Sequence, residues 1–86
     1  MNLRILILDH NSFSTLSNFP ILIKLDTLSL NSNKLNNVDQ TVKFLSAKFP
    51  RLANFSCLDN PMNPGPADAE NYATFKNKIR SKLSLL

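Results

Sequence analysis

Three stretches of the chain repeat one spacing of apolar residues around an asparagine. The copies are Leu3, Leu6, Leu8, Asn11 and Phe13; Leu25, Leu28, Leu30, Asn33 and Leu35; and Leu52, Phe55, Cys57, Asn60 and Met62. Repetition at a period of about 20–50 residues is typical of units that stack on one another, because a single unit cannot bury its apolar face alone. The spacing therefore predicts three stacked units that share one apolar interior.

Each unit is predicted to contain a short strand. Side chains alternate between the two faces of a strand, so Leu6 and Leu8 point to one side while Ile5 and Ile7 point to the other. Strands of successive units can then lie side by side in one parallel sheet. Its leucines face the interior, and the residues between them form a concave surface.

The repeated asparagines Asn11, Asn33 and Asn60 each follow a strand, at the corner where the chain turns inward. A buried amide there can bond backbone groups that would otherwise stay unpaired at a cost of about 1–3 kcal/mol each. We expect these three side chains to form an internal ladder with a structural role.

This template is similar to the leucine-rich repeat. The resemblance implies an α/β leucine-rich-repeat solenoid: three parallel strands on the concave side, turns and short helices on the convex side, and a C-terminal helical cap. The three units span residues 3–24, 25–51 and 52–62 onward, within a repeat region of 1–62. Residues 63–86 then hold a proline-rich excursion and the capping helix.

The convex segments of the first two units differ in their spacing. From Phe13 to Leu25, apolar residues recur every third position, which favours turns or a short 3₁₀ helix. From Val38 to Phe49, they recur every third or fourth position, which predicts an amphipathic α-helix with Asp39 as the candidate N-cap.

The end of the chain is predicted to cap the stack. Three of the five prolines and the one glycine fall within residues 61–66, which indicates an irregular excursion. A last amphipathic helix follows, because one apolar face collects Tyr72, Phe75, Ile79 and Leu83. A terminal unit exposes the interior on its outer side, and this helix is expected to cover it.

The composition narrows the setting of the protein. With 86 residues, of which 43% are apolar, the chain can form one small domain. No apolar run approaches the roughly 18 residues of a membrane span, and the first residues lack the layout of a signal peptide. The single cysteine, Cys57, has no intrachain partner for a disulfide. These features predict an intracellular protein, cytoplasmic or nuclear.

The residues also resemble one family, the short intracellular leucine-rich-repeat proteins built on units of about 22 residues. It includes the Sds-type phosphatase regulators, the spliceosomal A-prime protein, the acidic nuclear phosphoproteins and the axonemal dynein light chain. Their last repeat ends in Asn-Pro, as Asn60-Pro61 does, and their cap holds a Tyr-x-x-aromatic helix, as Tyr72 and Phe75 suggest. Within the family, the unit lengths are most similar to the leucine-rich melanocyte differentiation-associated type. The family implies binding of other proteins through the concave sheet.

Two features depart from that family. The proline that usually precedes the closing strand of the cap is absent between Arg80 and Lys82, and the chain stops at Leu86, where an aspartate would follow. The first repeat begins at Leu3 with no capping element ahead of it. We expect the N-terminal face to be covered by a longer parent chain, by a partner or by self-association.

The template places nine residues on the concave surface. They are Ile5, Ile7, Asp9, Thr27, Ser29, Asn31, Asn54, Ser56 and Leu58. Three of them are apolar, which fits either a contact site for another protein or ordinary exposed surface.

Two functions follow as alternatives. The first is a non-catalytic adaptor or scaffold that binds a partner protein, of unknown identity, through the concave surface. The second is a ribonucleoprotein component that associates with an RNA-binding partner through the basic last helix, because the net charge is +4 and the cations gather at Lys76, Lys78, Arg80 and Lys82. Direct contact with RNA is disfavoured, since no aromatic residue on the strands is placed to stack on bases.

No enzyme is predicted. The one histidine, His10, lies beside Asp9, but neighbours in sequence do not place a base beside a nucleophile. Cys57 occupies a slot that holds leucine in the other copies, which indicates a buried thiol. No cofactor and no metal ion is predicted, because the chain has one glycine and no Cys/His set with metal-binding spacing.

Overall fold

A computed structural model describes residues 2–82 of the chain. Its elements, in order, are β1 (Ile5–Ile7), β2 (Thr27–Ser29), α1 (Val38–Lys48), β3 (Asn54–Ser56) and α2 (Ala69–Lys82). The three strands form one parallel sheet in the order β1-β2-β3. The predicted α/β class and the predicted parallel sheet are confirmed.

The register of the sheet places equivalent residues of the three units side by side. Leu6 pairs with Leu28, and Leu28 pairs with Phe55. The backbone ladder continues past the strand ends, since the Leu8 N–H donates to the Ser29 carbonyl at 2.9 Å. The predicted stacking of Leu6, Leu28 and Phe55 is therefore confirmed.

The apolar interior lies on one face of this sheet and is best covered in the second unit. That unit contributes four fully buried leucines: Leu25, Leu28, Leu30 and Leu35. Their counterparts in the first unit are half-buried: Leu3, Leu6, Leu8 and Phe13. Because apolar burial stabilises in proportion to the area removed from water, these four positions contribute less in the first unit than in the second.

The back of the first unit, residues 13–24, consists of turns, as its spacing predicts. Its aromatic side chains hold it to the end of α1. The Phe19 ring lies edge-on to Phe13 at 5.1 Å between centroids and to Phe49 at 6.4 Å. The Lys48 ammonium, from the last turn of α1, donates to the Phe19 carbonyl. These contacts position the first unit although it lacks a helix of its own within the described residues.

Helix α1 is the predicted amphipathic helix, but its N-cap is not the predicted residue. The Asn37 side-chain oxygen accepts the Gln40 N–H at 3.0 Å, so Asn37 is the cap. The prediction that Asp39 caps the helix is wrong. Asp39 lies in the first turn, where its charge interacts favourably with the helix dipole.

Helix α2 follows an irregular segment, as predicted, in which Gly65 adopts a φ of 76° that favours glycine. The Asp68 carboxylate accepts from the Asn71 side chain at 2.8 Å and so lies at the start of the helix. Phe75 and Ile79 are buried in the same apolar cluster as the leucines of the sheet.

The other predicted capping residues differ in position. Tyr72 is half-buried, and its ring stacks on Phe75 at 6.4 Å between centroids. Leu83 lies outside the described residues. Helix α2 packs beside α1, and the Lys78 ammonium lies 3.4 Å from the Asp39 carboxylate. The last helix thus covers the end of the interior next to the third unit.

Candidate interaction surface

The face of the sheet opposite the interior carries the nine residues that the repeat template selects. We call this set the open face; it holds Ile5, Ile7, Asp9, Thr27, Ser29, Asn31, Asn54, Ser56 and Leu58. Six of these residues lie in the strands, and Asp9, Asn31 and Leu58 follow the strand ends. Their alternation with the buried leucines is the alternation that the sequence predicts.

Three large aliphatic side chains on the open face reach solvent. Ile5 is 58% exposed, Ile7 is 65% exposed and Leu58 is 55% exposed. Ile5 and Ile7 are neighbours on β1, whereas Leu58 follows β3, the strand at the opposite edge of the sheet. The apolar surface is therefore concentrated over the first strand.

The polar residues of the open face bond to one another, a feature that the repeat pattern does not predict. The Asp9 carboxylate accepts from the Ser29 hydroxyl at 2.6 Å and from the Asn31 N–H at 2.9 Å. The Asn31 side-chain oxygen in turn accepts from the Ser56 hydroxyl at 2.7 Å and from the Leu58 N–H at 2.8 Å. One network thus runs across all three units.

This network sets the charge of Asp9. The Ser29 hydroxyl, and secondarily the N–H groups of Asn31, lower the pKa of the Asp9 carboxyl below its ordinary value, although partial burial opposes them. Asp9 is therefore ionised at neutral pH. Its bonds weaken as the pH falls below the ordinary pKa of an aspartate, about 3.9, and through the lower pKa of the folded state.

The corners after the strands use the same unusual backbone conformation three times. His10, Ser32 and Asp59 have φ values of 59°, 55° and 56°, in the left-handed region. Residues other than glycine seldom adopt it, although Asn, Asp and His do so more often than most. His10 is exposed there, as expected for a corner residue. The described contacts give it no base-to-nucleophile geometry.

The predicted asparagine ladder exists for two of its three members. Asn60 is buried; its amide donates to the Leu30 carbonyl of the preceding unit at 2.8 Å, and its oxygen accepts the Leu35 N–H at 3.1 Å. Asn33 is buried in the same way and bonds to Leu8 and Phe13.

The third member, Asn11, contradicts the expectation of a buried ladder. It is exposed, and its amide donates to the Leu8 and Asp9 carbonyls at 2.9 and 3.2 Å. These local bonds match those of Asn60, but no described residue precedes Asn11 in the stack to supply the bonds between units. The ladder at Asn11 is therefore incomplete.

Cys57 is a packing residue. It is buried in the apolar cluster, and burial raises the pKa of its thiol to about 12, although the Asn63 side chain acts slightly in the opposite direction. The nucleophilic form of a cysteine is the thiolate, which is scarcely populated here at neutral pH.

The cations of α2 are partly engaged within the fold. Lys78 pairs with Asp39, and the Lys76 ammonium lies 4.8 Å from the centre of the Tyr72 ring. Lys76 and Arg80 also border a groove of about 320 Å³ between β3 and α2, to which no acidic residue contributes. The repeat pattern does not predict this groove, because two elements distant in sequence form it.

Two further findings concern membrane spans and metal ligands. Neither helix within residues 2–82 combines the length and the apolar character needed to cross a bilayer. Over the same residues, no three His, Cys, Asp or Glu side chains converge as a set of metal ligands would.

No model of a known protein family matches the chain, and no curated protein is similar to it in sequence.

Proposed function

We propose that the chain is a small leucine-rich-repeat solenoid, of the intracellular family that its sequence resembles, with the open face as its concave surface. The register of Leu6, Leu28 and Phe55 supports this proposal. So do the left-handed corners, which recur at the same position of each unit. The bonds of Asn33 and Asn60 to the preceding unit add a third argument, since Asn33 donates to Leu8 and Asn60 donates to the equivalent Leu30.

The function we infer is binding of a partner protein through the open face, without catalysis. The observation that carries this inference is the combination of exposed aliphatic groups with polar groups that already bond one another. Burying a neutral polar group is costly when it has no hydrogen-bond partner, but Ser29 and Asn31 keep their bonds to the Asp9 carboxylate if water leaves Ile5 and Ile7. A partner can therefore cover Ile5 and Ile7 and remove apolar surface from water at a low polar cost.

A capture experiment with a matched pair of variants tests this function. The immobilised chain is exposed to cell extract as wild type, as Ile7→Glu and as Ile21→Glu. Ile21 lies outside the open face and is 67% exposed, close to the 65% of Ile7, so the two substitutions are equivalent except in place. We expect Ile7→Glu to lose the specifically captured proteins and Ile21→Glu to retain them.

Equal capture by all three chains contradicts binding through the open face. Equal loss by both variants attributes capture to nonspecific apolar contact and also contradicts it. Circular dichroism and urea melts of each variant establish that the captured differences come from the surface and not from unfolding.

The second candidate function is association with a ribonucleoprotein through the basic last helix. The groove bordered by Lys76 and Arg80, without an acidic residue, is the observation that favours it. Phosphate binding falls steeply as salt rises, because neutralising phosphates releases counterions. If capture disappears at raised salt or after ribonuclease treatment but survives Ile7→Glu, this second function replaces the first.

A further inference from the structure

A cluster of unpaired cations lies where the strands begin, at the edge of the open face. A shallow pocket of about 480 Å³ is lined there by Arg4, Lys24, Asp26, Arg51 and Ala53. We call it the basic pocket. It brings together three cations and one carboxylate from the first two units, with Ala53 from the third, and it gathers positions as distant in sequence as Arg4 and Arg51.

The charges of the basic pocket are not neutralised within the described part of the chain. The Asp26 carboxylate accepts from the Thr27 hydroxyl at 2.8 Å. No carboxylate of residues 2–82 lies within ion-pair distance of Arg4, Lys24 or Arg51. The ion pair found among these residues joins Lys78 of α2 and Asp39 of α1, away from the basic pocket. The three cations are exposed and remain available to an external anion.

The backbone beneath the basic pocket is held by paired hydrogen bonds. The Arg4 carbonyl accepts two N–H groups, from Asp26 at 2.9 Å and from Thr27 at 3.0 Å. The Asp26 carbonyl repeats this pattern and accepts from Ala53 and Asn54, both at 2.9 Å. The pocket therefore has a fixed floor, and ordering it on binding costs little backbone entropy.

Charge varies along the open face from one end of the strands to the other. The basic pocket lies where the strands begin, Ile5 and Ile7 lie on β1, and the ionised Asp9 and the exposed Asp59 lie beyond the strand ends. At about 3.3 Å per residue, Arg4 and Asp9 are separated by roughly 17 Å. A ligand that follows a strand meets positive charge, then apolar surface, then negative charge.

We propose that the partner binds the open face with an acidic peptide segment, whose carboxylates enter the basic pocket and whose aliphatic side chains cover Ile5 and Ile7. This inference rests on the proposed function and specifies the partner's chemistry. Charge complementarity supplies the orientation and the apolar contact supplies the burial.

The same surface is less suited to a nucleic acid. Single strands usually bind on aromatic side chains that stack on the bases, and none of the nine residues of the open face is aromatic. Asp26 within the pocket and Asp9 along the face also repel phosphates. A peptide can place a carboxylate at one end and avoid the other, whereas a phosphate backbone carries charge throughout.

The test is fluorescence anisotropy with a short labelled peptide in which Glu and Leu alternate, at low salt. We expect binding by the wild-type chain and about tenfold weaker binding by Arg51→Glu, because the reversal removes an attraction and adds a repulsion. Lys43→Glu is the matched control: it is exposed on α1, changes the net charge equally and should change binding less than about twofold. A second peptide, with Gln in place of every Glu, is added to the wild-type chain. We expect its affinity to be about as low as that of the Glu peptide for Arg51→Glu.

Each other outcome overturns the inference. Equal weakening by Arg51→Glu and Lys43→Glu means that net charge, and not the basic pocket, attracts the peptide. An oligothymidylate that binds more tightly than the peptide and loses affinity in Arg51→Glu assigns the pocket to phosphates. If the peptide does not bind but Ile7→Glu still abolishes capture, the acidic segment is rejected and the proposed function stands. If the peptide does not bind and Ile7→Glu does not change capture, both the acidic segment and the proposed function are rejected.

Discussion

Asn60 and Asn11 hold equivalent positions in the repeat, yet the structure gives them different surroundings. Asn60 is buried and bonds to Leu30 and Leu35 of the preceding unit as well as to its own corner. Asn11 is exposed and bonds within its own corner only, among the described residues. The same residue type therefore stabilises the fold to different extents at the two positions.

We predict that Asn60→Ala lowers the free energy of unfolding by about 2–4 kcal/mol, since it leaves several buried backbone groups without partners. Asn11→Ala is the matched control and should cost less than about 1 kcal/mol, because water can replace its bonds. Urea melts of both variants measure the difference. Similar losses for the two would show that the bonds between units contribute little.

For individual residues, the sequence predicted which side chains are buried better than it predicted their hydrogen-bond partners. The spacing placed Asn33 and Asn60 in the interior correctly, because every fully surrounded unit repeats one environment. It failed at Asn11 because the pattern does not encode what lies next to the first unit. It also could not anticipate that Asp9 bonds to Ser29, since a strand pattern assigns faces and not hydrogen bonds.

Helix α2 depends on packing against the interior for its stability. Two buried side chains, Phe75 and Ile79, attach it to the interior, while most of its other described residues are exposed. Helices of this length are marginal in isolation, so the apolar contact has to stabilise it.

Phe75→Ala is predicted to destabilise the protein by about 3–5 kcal/mol, the usual cost of a large-to-small change in a packed interior. Asn77→Ala, at an exposed position of the same helix, should change stability by less than about 0.5 kcal/mol. The measurement is a guanidinium melt of each variant. A loss below about 1 kcal/mol for Phe75→Ala would mean that α2 does not cover the interior.

The elements themselves were largely predictable. Strong periodicity predicted the three strands and α1, and prolines with one glycine predicted the irregular segment before α2. The N-cap of α1 was not predictable in the same way, because both Asn37 and Asp39 are favourable caps and the choice depends on where the preceding chain arrives. The groove between β3 and α2 required the packing angle of a helix, which no local pattern contains.

For the whole molecule, burial of the leucines differs between units. The second unit has apolar residues on both sides of it, whereas the first unit leaves Leu3, Leu6 and Leu8 half-buried, although its Leu16 and Leu22 are buried. Stability should therefore vary along the stack, since regions with less buried apolar surface open more easily.

Native-state hydrogen exchange can measure this variation with two equivalent amides. The Leu8 N–H donates to Ser29 at 2.9 Å, and the Leu30 N–H donates to Ser56 at 2.8 Å, so their bonds are nearly identical. We predict that Leu8 exchanges through an opening that costs at least about 1 kcal/mol less than the opening that exposes Leu30. Identical opening energies, after correction for intrinsic rates, would show that the two units open together.

The left-handed corners bear on how the stack can be divided. Each unfavourable φ at His10, Ser32 and Asp59 would relax more readily in a peptide of one unit, where only the asparagine bonds within the same corner oppose the relaxation. Here the His10 and Ser32 N–H groups donate to Asn31 and Leu58 of the following unit, so the neighbour enforces the bend. A fragment of one unit should consequently be unfolded. The smallest fragment that folds by itself must contain at least two successive corners.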